Sequence, residues 1–395
     1  MKAASRKERL QQSALVNLLV VDDLPQMREI IRSMLKANRY SSVITAQSGN
    51  EAMQMINSHP VDIIITDWNM PNMSGIELLK CIKRDSRLFR MAVMMISDEI
   101  SADKVLYAVE EGVDGFLVKP FSEEKLTKSL REMLHTIIHA DAVHEKMLEM
   151  KHLMLQGAHR EALELGHETM KLRSHPRIAL MLCECLYHVK EYEKAIDMIM
   201  DSEEESRTSF QNNLLGKSYM NIGKHSQGIL YLEQAARKNP LNNDRKIDAA
   251  RAHFSIGNIA DAERQIAAVM SSNPTDLNMV DIAQLYLEIG NVDKAGEYLE
   301  KTVEPIPETV TVFNNYAIAL RRANRYEDSI RIYKKCLQIT PDSDILQYNL
   351  AVLYHTMNQY TEAKKILGKT LALNPDNRPA KDLLTRVSES LNEAR

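Results

Sequence analysis

Five residues in the first third of the chain have the types and spacing to handle a phosphoryl group. Asp22 and Asp23 are adjacent and precede Asp67, while Ser97 and then Lys119 follow it. Three carboxylates brought together repel one another unless a cation joins them. Hard oxygen donors with open positions suit Mg²⁺, which keeps several waters and takes phosphate oxygens readily. A lysine ammonium meets a phosphoryl oxygen as a point charge, and a serine hydroxyl can bond another. The set suits transfer of a phosphoryl group onto a carboxylate.

That chemistry requires the five residues to meet, and the intervening pattern says how they could. Short apolar runs at 15–21, 43–46, 61–66, 91–96 and 115–118 alternate with helical periodicity at 27–35, 49–56, 76–83 and 102–111, and a last helix follows Ser122, a good N-cap. Apolar strands separated by helices of about ten residues predict a doubly wound parallel five-stranded α/β sheet, covered on both faces. Ligands of such sheets bind beyond the carboxyl ends of the strands. Asp22, Asp23, Asp67, Ser97 and Lys119 fall at four of those ends, and Asp67, on the central strand, is the natural acceptor.

Residues 15–137 resemble the receiver domain of bacterial two-component response regulators, in its chemotaxis-like (flavodoxin-like) form. The residues that carry the likeness are Asp67-Trp68-Asn69-Met70-Pro71-Asn72-Met73-Ser74-Gly75, the closing Lys119-Pro120-Phe121 and the spacing of the acidic pair. The resemblance implies that Asp67 is the phosphoacceptor. Asp23, Asp67 and the backbone carbonyl of Asn69 would hold Mg²⁺, with Asp22 acting through water. Ser97 and Lys119 would bind phosphoryl oxygens, and Phe116 matches the family's switch aromatic. The Lys119-Pro120 bond is expected to be cis. One departure stands out: the residue after Ser97 is usually small, whereas here it is Asp98. Its bulk and charge are expected to slow phosphorylation or hydrolysis.

Beyond the receiver-like segment the strand pattern disappears and a period of about 34 residues takes over. Pro307, Pro341 and Pro375 fall one period apart, and windows at 209–242, 243–275, 276–309, 310–343 and 344–377 share small residues, Tyr and Gly at matching places. Two weaker units precede them, at 143–175 and 176–208. These residues resemble the tetratricopeptide repeat and imply an all-α solenoid over residues 138–377, with residues 378–395 as a capping helix. Small residues let the paired helices approach, Gly157, Gly223, Gly257 and Gly290 serve the turn, and the prolines stop the second helix. A solenoid binds peptide segments or protein faces. Groove candidates by family position are Asn213, Asn314, Arg321, Tyr348 and His355.

The rest of the sequence narrows the function classes. Residues 1–130 hold 17 basic and 17 acidic side chains, so the net −4 lies in the repeats, which is unsuited to a nucleic-acid surface. No helix-turn-helix pattern and no apolar run long enough to span a membrane are present. The tail at 1–14 reads as a frayed segment rather than a secretory signal, and Cys81, Cys183, Cys185 and Cys336 read as reduced thiols of a cytoplasmic protein. His135 and His139 lie one helical turn apart, without further ligands at fixed spacing. The expected function is a response regulator phosphorylated on Asp67 by a sensor histidine kinase or a phosphotransfer protein, controlling protein binding by the repeats. Beyond the receiver's own phosphotransfer and autodephosphorylation no enzyme activity is expected, and a homodimer is compatible with this organisation. The last receiver helix is expected to run nearly unbroken into the first repeat and so pass the signal on. Two alternatives are a phosphate sink or inhibitor of a cognate kinase or regulator, and a constitutive repeat scaffold.

Overall fold

The computed structural model describes residues 10–12, 15–99, 101–272, 274–302, 305–307 and 309–393. Most of the tail at 1–14 and the last two residues of the expected cap lie outside them. Strands β1 (Asn17–Val21), β2 (Ser42–Ala46), β3 (Ile63–Asp67), β4 (Ala92–Ser97) and β5 (Gly115–Val118) alternate with helices α1 (Pro25–Ala37), α2 (Gly49–Ser58), α3 (Gly75–Arg84), α4 (Ala102–Glu110) and α5 (Glu123–Ile138). All strand pairs are parallel, in the order β2-β1-β3-β4-β5. The period-two alternation of strand side chains separates two apolar layers. Leu18, Val20, Ile63, Ile65, Met94 and Ile96 pack with Ile31 and Leu35 of α1 and with Leu126 and Leu130 of α5. Leu19, Val21, Ile64, Val93 and Met95 pack on the other face with Ala52, Leu78, Leu79, Ile82, Tyr107 and Ala108 of α2, α3 and α4. Between β1 and β3 the winding reverses direction, which opens a crevice at the carboxyl edge.

From Ala142 onward the described residues form helical hairpins in two compact units, the first ending at Arg245 and the second beginning at Lys246. The first unit contains the sheet and helices α6 (Ala142–Leu155), α7 (His159–Leu172), α8 (Pro176–His188), α9 (Tyr192–Met200), α10 (Ser209–Asn221) and α11 (His225–Lys238). Helix α12 (Asn243–Ser255) begins at its end. The second contains α13 (Ile259–Met270), α14 (Asp276–Glu288), α15 (Val292–Leu299), α16 (Val310–Arg322), α17 (Tyr326–Ile339), α18 (Asp344–Thr356), α19 (Tyr360–Leu373) and α20 (Arg378–Glu393). One apolar core runs from Ile247 to Leu353 in this unit, and Ala380, Leu383 and Val387 of α20 close its end on Ala351, Ala363 and Leu367.

The repeat register is written in the backbone. Gly157, Gly223, Gly257 and Gly290 have φ between 77° and 80°, and Lys190, Asn324 and Asn358 take the same left-handed conformation at the remaining hairpin turns. These positions recur once per repeat from Gly157 to Asn358, so the two weak units at 143–208 are hairpins of the same kind. A left-handed residue ends the first helix of each hairpin and turns the chain into the second. The small residues at the crossings, Ala195, Ala250, Ala262, Ala283, Ala295, Ala317, Ala351 and Ala363, are fully buried.

Two expectations are corrected. Helix α5 does not run on into the repeats: His139 caps its end, and Asp141 starts α6 by accepting the His144 N–H at 2.8 Å. The Asp141 side chain offers the backbone a helix start, which breaks the connection at 139–141. Pro307 does not stop a helix either. Helix α15 ends at Leu299, well before it, whereas Pro240, Pro341 and Pro375 follow directly on the ends of α11, α17 and α19.

Candidate functional site

The carboxyl edge of the sheet brings Asp22, Asp67 and Lys119 into contact, with Ser97 at the end of the neighbouring strand. Asp22 follows β1, Asp67 and Ser97 close β3 and β4, and Lys119 follows β5. Lys119 Nζ donates to Asp67 Oδ1 at 2.5 Å and to Asp22 Oδ2 at 3.4 Å. Both carboxylates are buried, at 1% exposure for Asp22 and 5% for Asp67. Their other oxygens are held by backbone: Asp22 Oδ1 accepts the Leu24 N–H and Asp67 Oδ2 accepts the Asn69 N–H, each at 2.9 Å. One ammonium thus bridges two carboxylates from different strands. The Lys119-Pro120 bond is cis.

Burial lifts the Asp67 carboxyl above the ordinary carboxylate value; Lys119 opposes the rise and Asp22 adds to it. Burial works to lower Lys119, but Asp67, Asp22 and Asp98 outweigh it and the ammonium is held above its ordinary value. The Asp98 carboxylate lies 3.8 Å from Lys119 Nζ while remaining 73% exposed, so it adds negative charge at the mouth of the crevice. Ser97 is buried and its Oγ donates to the Glu99 carbonyl at 2.9 Å, inside its own loop.

Two supports fix this edge. Arg28 Nη1 donates to the carbonyls of Asp22 and Asp23 at 2.6 and 3.1 Å. Gly75 lets α3 begin directly beneath Asp67: a Cβ there would meet the Asp67 carbonyl oxygen at 2.0 Å. Ser74 and Glu77 close the helix start as a capping box. Sequence reasoning missed Arg28, although a cation one turn into the helix behind the acidic pair was a usable signal. It also missed the setting of Phe116. This half-buried ring lies 6.2 Å from Trp68, which in turn lies 6.3 Å from Tyr107.

The expected metal set is only partly assembled. Among the described residues no three His, Cys, Asp or Glu side chains are grouped to hold a metal ion. Lys119 bridges Asp22 and Asp67, Asp23 is half exposed and Asn69 is exposed. Two buried carboxylates of hard oxygen chemistry nonetheless fit Mg²⁺, whose protein share is commonly one or two carboxylates. His135 and His139 pair ring to ring at 4.3 Å.

The groove candidates separate. Asn213 is buried at 4% on α10 in the first unit, which leaves little of it for a partner to touch and does not suit its expected role as a partner contact. The others are half-buried residues of the second unit. Asn314 accepts from Asn349 at 2.9 Å, Arg321 lies beside the fully buried Tyr333, Tyr348 packs on the core closed by α20, and His355 meets Tyr360 at 5.7 Å.

A family model for the response regulator receiver domain matches residues 18–131. Tetratricopeptide repeat models match residues 213–276 and 280–344, and residues 320–387. The chain is 34% identical over 122 residues to the chemotaxis protein CheY of Pseudomonas aeruginosa, which covers 31% of this chain and 98% of that protein. It is also 34% identical over 122 residues to chemotaxis protein CheY-3 of Vibrio cholerae, covering 31% of this chain and 94% of that one. A solved structure of the chemotaxis response regulator CheY4 of Vibrio cholerae shares 34% identity, covers 30% of this chain and 98% of that chain, and has a TM-score of 0.29. Among the described residues no helix is long and apolar enough to cross a membrane. With nearly the whole of a receiver matched by residues 18–131, the chain belongs to the response regulator receiver family and carries tetratricopeptide repeats in its C-terminal region.

Proposed function

We propose that this protein is a cytoplasmic response regulator that accepts a phosphoryl group on Asp67 and thereby controls protein binding by its repeats. The observation that carries the reading is the buried Asp22–Lys119–Asp67 bridge at the carboxyl edge of the sheet. An Asp67 carboxylate oxygen would attack the phosphorus of a kinase or phosphotransfer-protein phosphohistidine. The N–P bond breaks, the imidazole leaves with the electron pair and takes up a proton, and an aspartyl phosphate remains. Lys119 would exchange its bond to Asp67 for one to a phosphoryl oxygen, and Ser97 would exchange its bond to Glu99 for another. Water then hydrolyses the acyl phosphate.

CheY-like receivers bind Mg²⁺, and here Asp22, Asp23, Asp67 and the Asn69 carbonyl would hold it. When bound, the ion supplies positive charge that offsets the carboxylates and the incoming phosphoryl group. Arg28 keeps the 22–23 backbone in place, and Asp98 screens Lys119 and opposes an anionic donor. Residues 15–137 form the receiver on this reading, residues 138–377 the repeats and residues 378–395 the cap.

Incubation with a small acyl phosphate and Mg²⁺ tests the site, with Asp98→Ala labelling faster than wild type; equal rates would remove the proposed role of Asp98. Capture of partner proteins by the full chain, with and without the phosphodonor and with Asp67→Ala as control, tests the output. Identical capture in all three would leave the constitutive scaffold as the better reading.

A further inference from the structure

The receiver face opposite α1 and α5 is covered by the chain's own repeat segment at 239–245, and the contact is ionic and largely buried. Lys80 on α3 donates to Asp244 Oδ2 at 3.0 Å and Arg84 reaches the same oxygen at 3.3 Å. At the end of α4, Glu110 accepts from Asn239 at 2.8 Å and pairs with Arg245 at 3.5 Å, while Glu111 lies 3.8 Å from Lys80 and accepts from Asn242 at 3.3 Å. Three cations face three carboxylates. Asn239 is fully buried and Asn242 is 1% exposed. The Lys80, Glu110, Glu111 and Arg245 side chains are 9–12% exposed, and Leu241 packs on the apolar layer of α3 and α4. These bonds join distant parts of the sequence, and all of them belong to the first compact unit.

Burial works to lower Lys80, but Asp244, Tyr107 and Glu111 outweigh it and raise the ammonium; burial works to raise Asp244, but Lys80 and Arg84 hold it down at about 2. Lys80, Glu110, Glu111 and Arg245 thus face one another more than solvent, while Asp244 is 27% and Arg84 61% exposed. The contact is also tied to the phosphoacceptor edge. Lys80 Nζ stands 5.3 Å over the Tyr107 ring, and Tyr107 meets Trp68, the residue after Asp67, edge to face.

We propose that segment 239–245 is an intramolecular latch on the α3–α4 face, coupled to the Asp67 pocket through Tyr107 and Trp68. Filling the pocket shifts the aromatic pair, loosens Lys80 from Asp244 and frees both the face and the start of α12. This deepens the reading above and rests on it for the phosphorylation step alone.

Trp68 is the single tryptophan of the chain, so its emission reports the tie, while backbone hydrogen exchange over 239–245 reports the latch. In the full-length protein Asp244→Lys should speed exchange there by roughly tenfold or more and shift Trp68 emission. Asn239→Ala, at the other end, should give the same directions with smaller size and serves if Asp244→Lys fails to fold. In a Tyr107→Leu background Asp244→Lys should still speed exchange but leave Trp68 unmoved. A small acyl phosphate with Mg²⁺ should speed exchange over 239–245 in wild type and not in Asp67→Ala. Unchanged exchange in both latch variants would overturn the latch, and a Trp68 response that survives Tyr107→Leu would overturn the tie. Labelling of Asp67 without faster exchange would overturn the coupling. Failure of Asp67 to label would instead overturn the phosphorylation reading, and the variants would still decide the latch.

Discussion

The receiver and the repeats solve the problem of placing side chains in opposite ways. In the receiver, Asp22 and Lys119 come from the first and last strands and meet only because five strands share one edge. In the repeats the same local device, a left-handed residue between two helices with small side chains at the crossing, recurs at every hairpin from Gly157 to Asn358. A long-range site tolerates little change at its supports, whereas a repeated local one tolerates change at any single turn. The glycines show this. A Cβ at Gly75 would strike the Asp67 backbone, while a Cβ at Gly223 would meet nothing within 4 Å.

The contrast breaks first at those positions. Gly75→Ala should destabilise the receiver by about 3 kcal/mol or more through overpacking. Gly223→Ala should cost only about 1 kcal/mol, the strain of a left-handed alanine. Denaturant unfolding followed by Trp68 emission and by far-ultraviolet circular dichroism measures both; equal losses would contradict the contrast. Lys119→Met comes next. It leaves Asp22 and Asp67 buried without their cation, a loss of about 3 kcal/mol, and added Mg²⁺ should recover part of it.

An acid titration sharpens the comparison at the 239–245 contact. Asp244 titrates at about 2 against an ordinary 3.8. Its contribution is therefore present above about pH 4 and is lost as pH falls through about 2, an effect of about 2 kcal/mol. Glu111, lifted by burial, works the other way, taking a proton earlier and relieving its repulsion with Asp244. Lys80 and Arg84 are held above their ordinary values and stay charged throughout, Tyr107 is pushed up to about 12 and stays neutral, and Glu110 faces Arg245. The stability difference between wild type and Asp244→Asn should shrink over that window; a constant difference would contradict the assignment. The smallest effect concerns thiols. Burial pushes Cys183 and Cys185 up to about 12 and Cys336 to about 11. A thiol reagent at neutral pH should therefore find none of these three in the folded repeats, leaving half-buried Cys81 of the receiver as the site of any fast reaction.

Much of this was legible in the sequence because it is local or periodic. Alternating apolar runs located all five strands, and Ser122 was readable as a cap. The repeat period predicted the hairpins, although Lys190, Asn324 and Asn358 hid three turns, since a left-handed conformation is hard to read from a residue other than glycine. The break at Asp141 was missed because it rests on one short side chain that captures the backbone at the start of the next helix. The latch was illegible for a deeper reason. Lys80, Glu111 and Asp244 look like ordinary surface charges until tertiary structure buries them together, and nothing local marks one charge for a partner so distant in the chain.

The central claim is that Asp67 takes the phosphoryl group. The most direct test is mass spectrometry of the full-length protein after treatment with a small acyl phosphate and Mg²⁺, followed by borohydride trapping and peptide mapping. One phosphoryl group per chain, mapped to Asp67 and lost in Asp67→Asn or on chelation of Mg²⁺, is the predicted result. No modification, or an equal yield in Asp67→Asn, would contradict it.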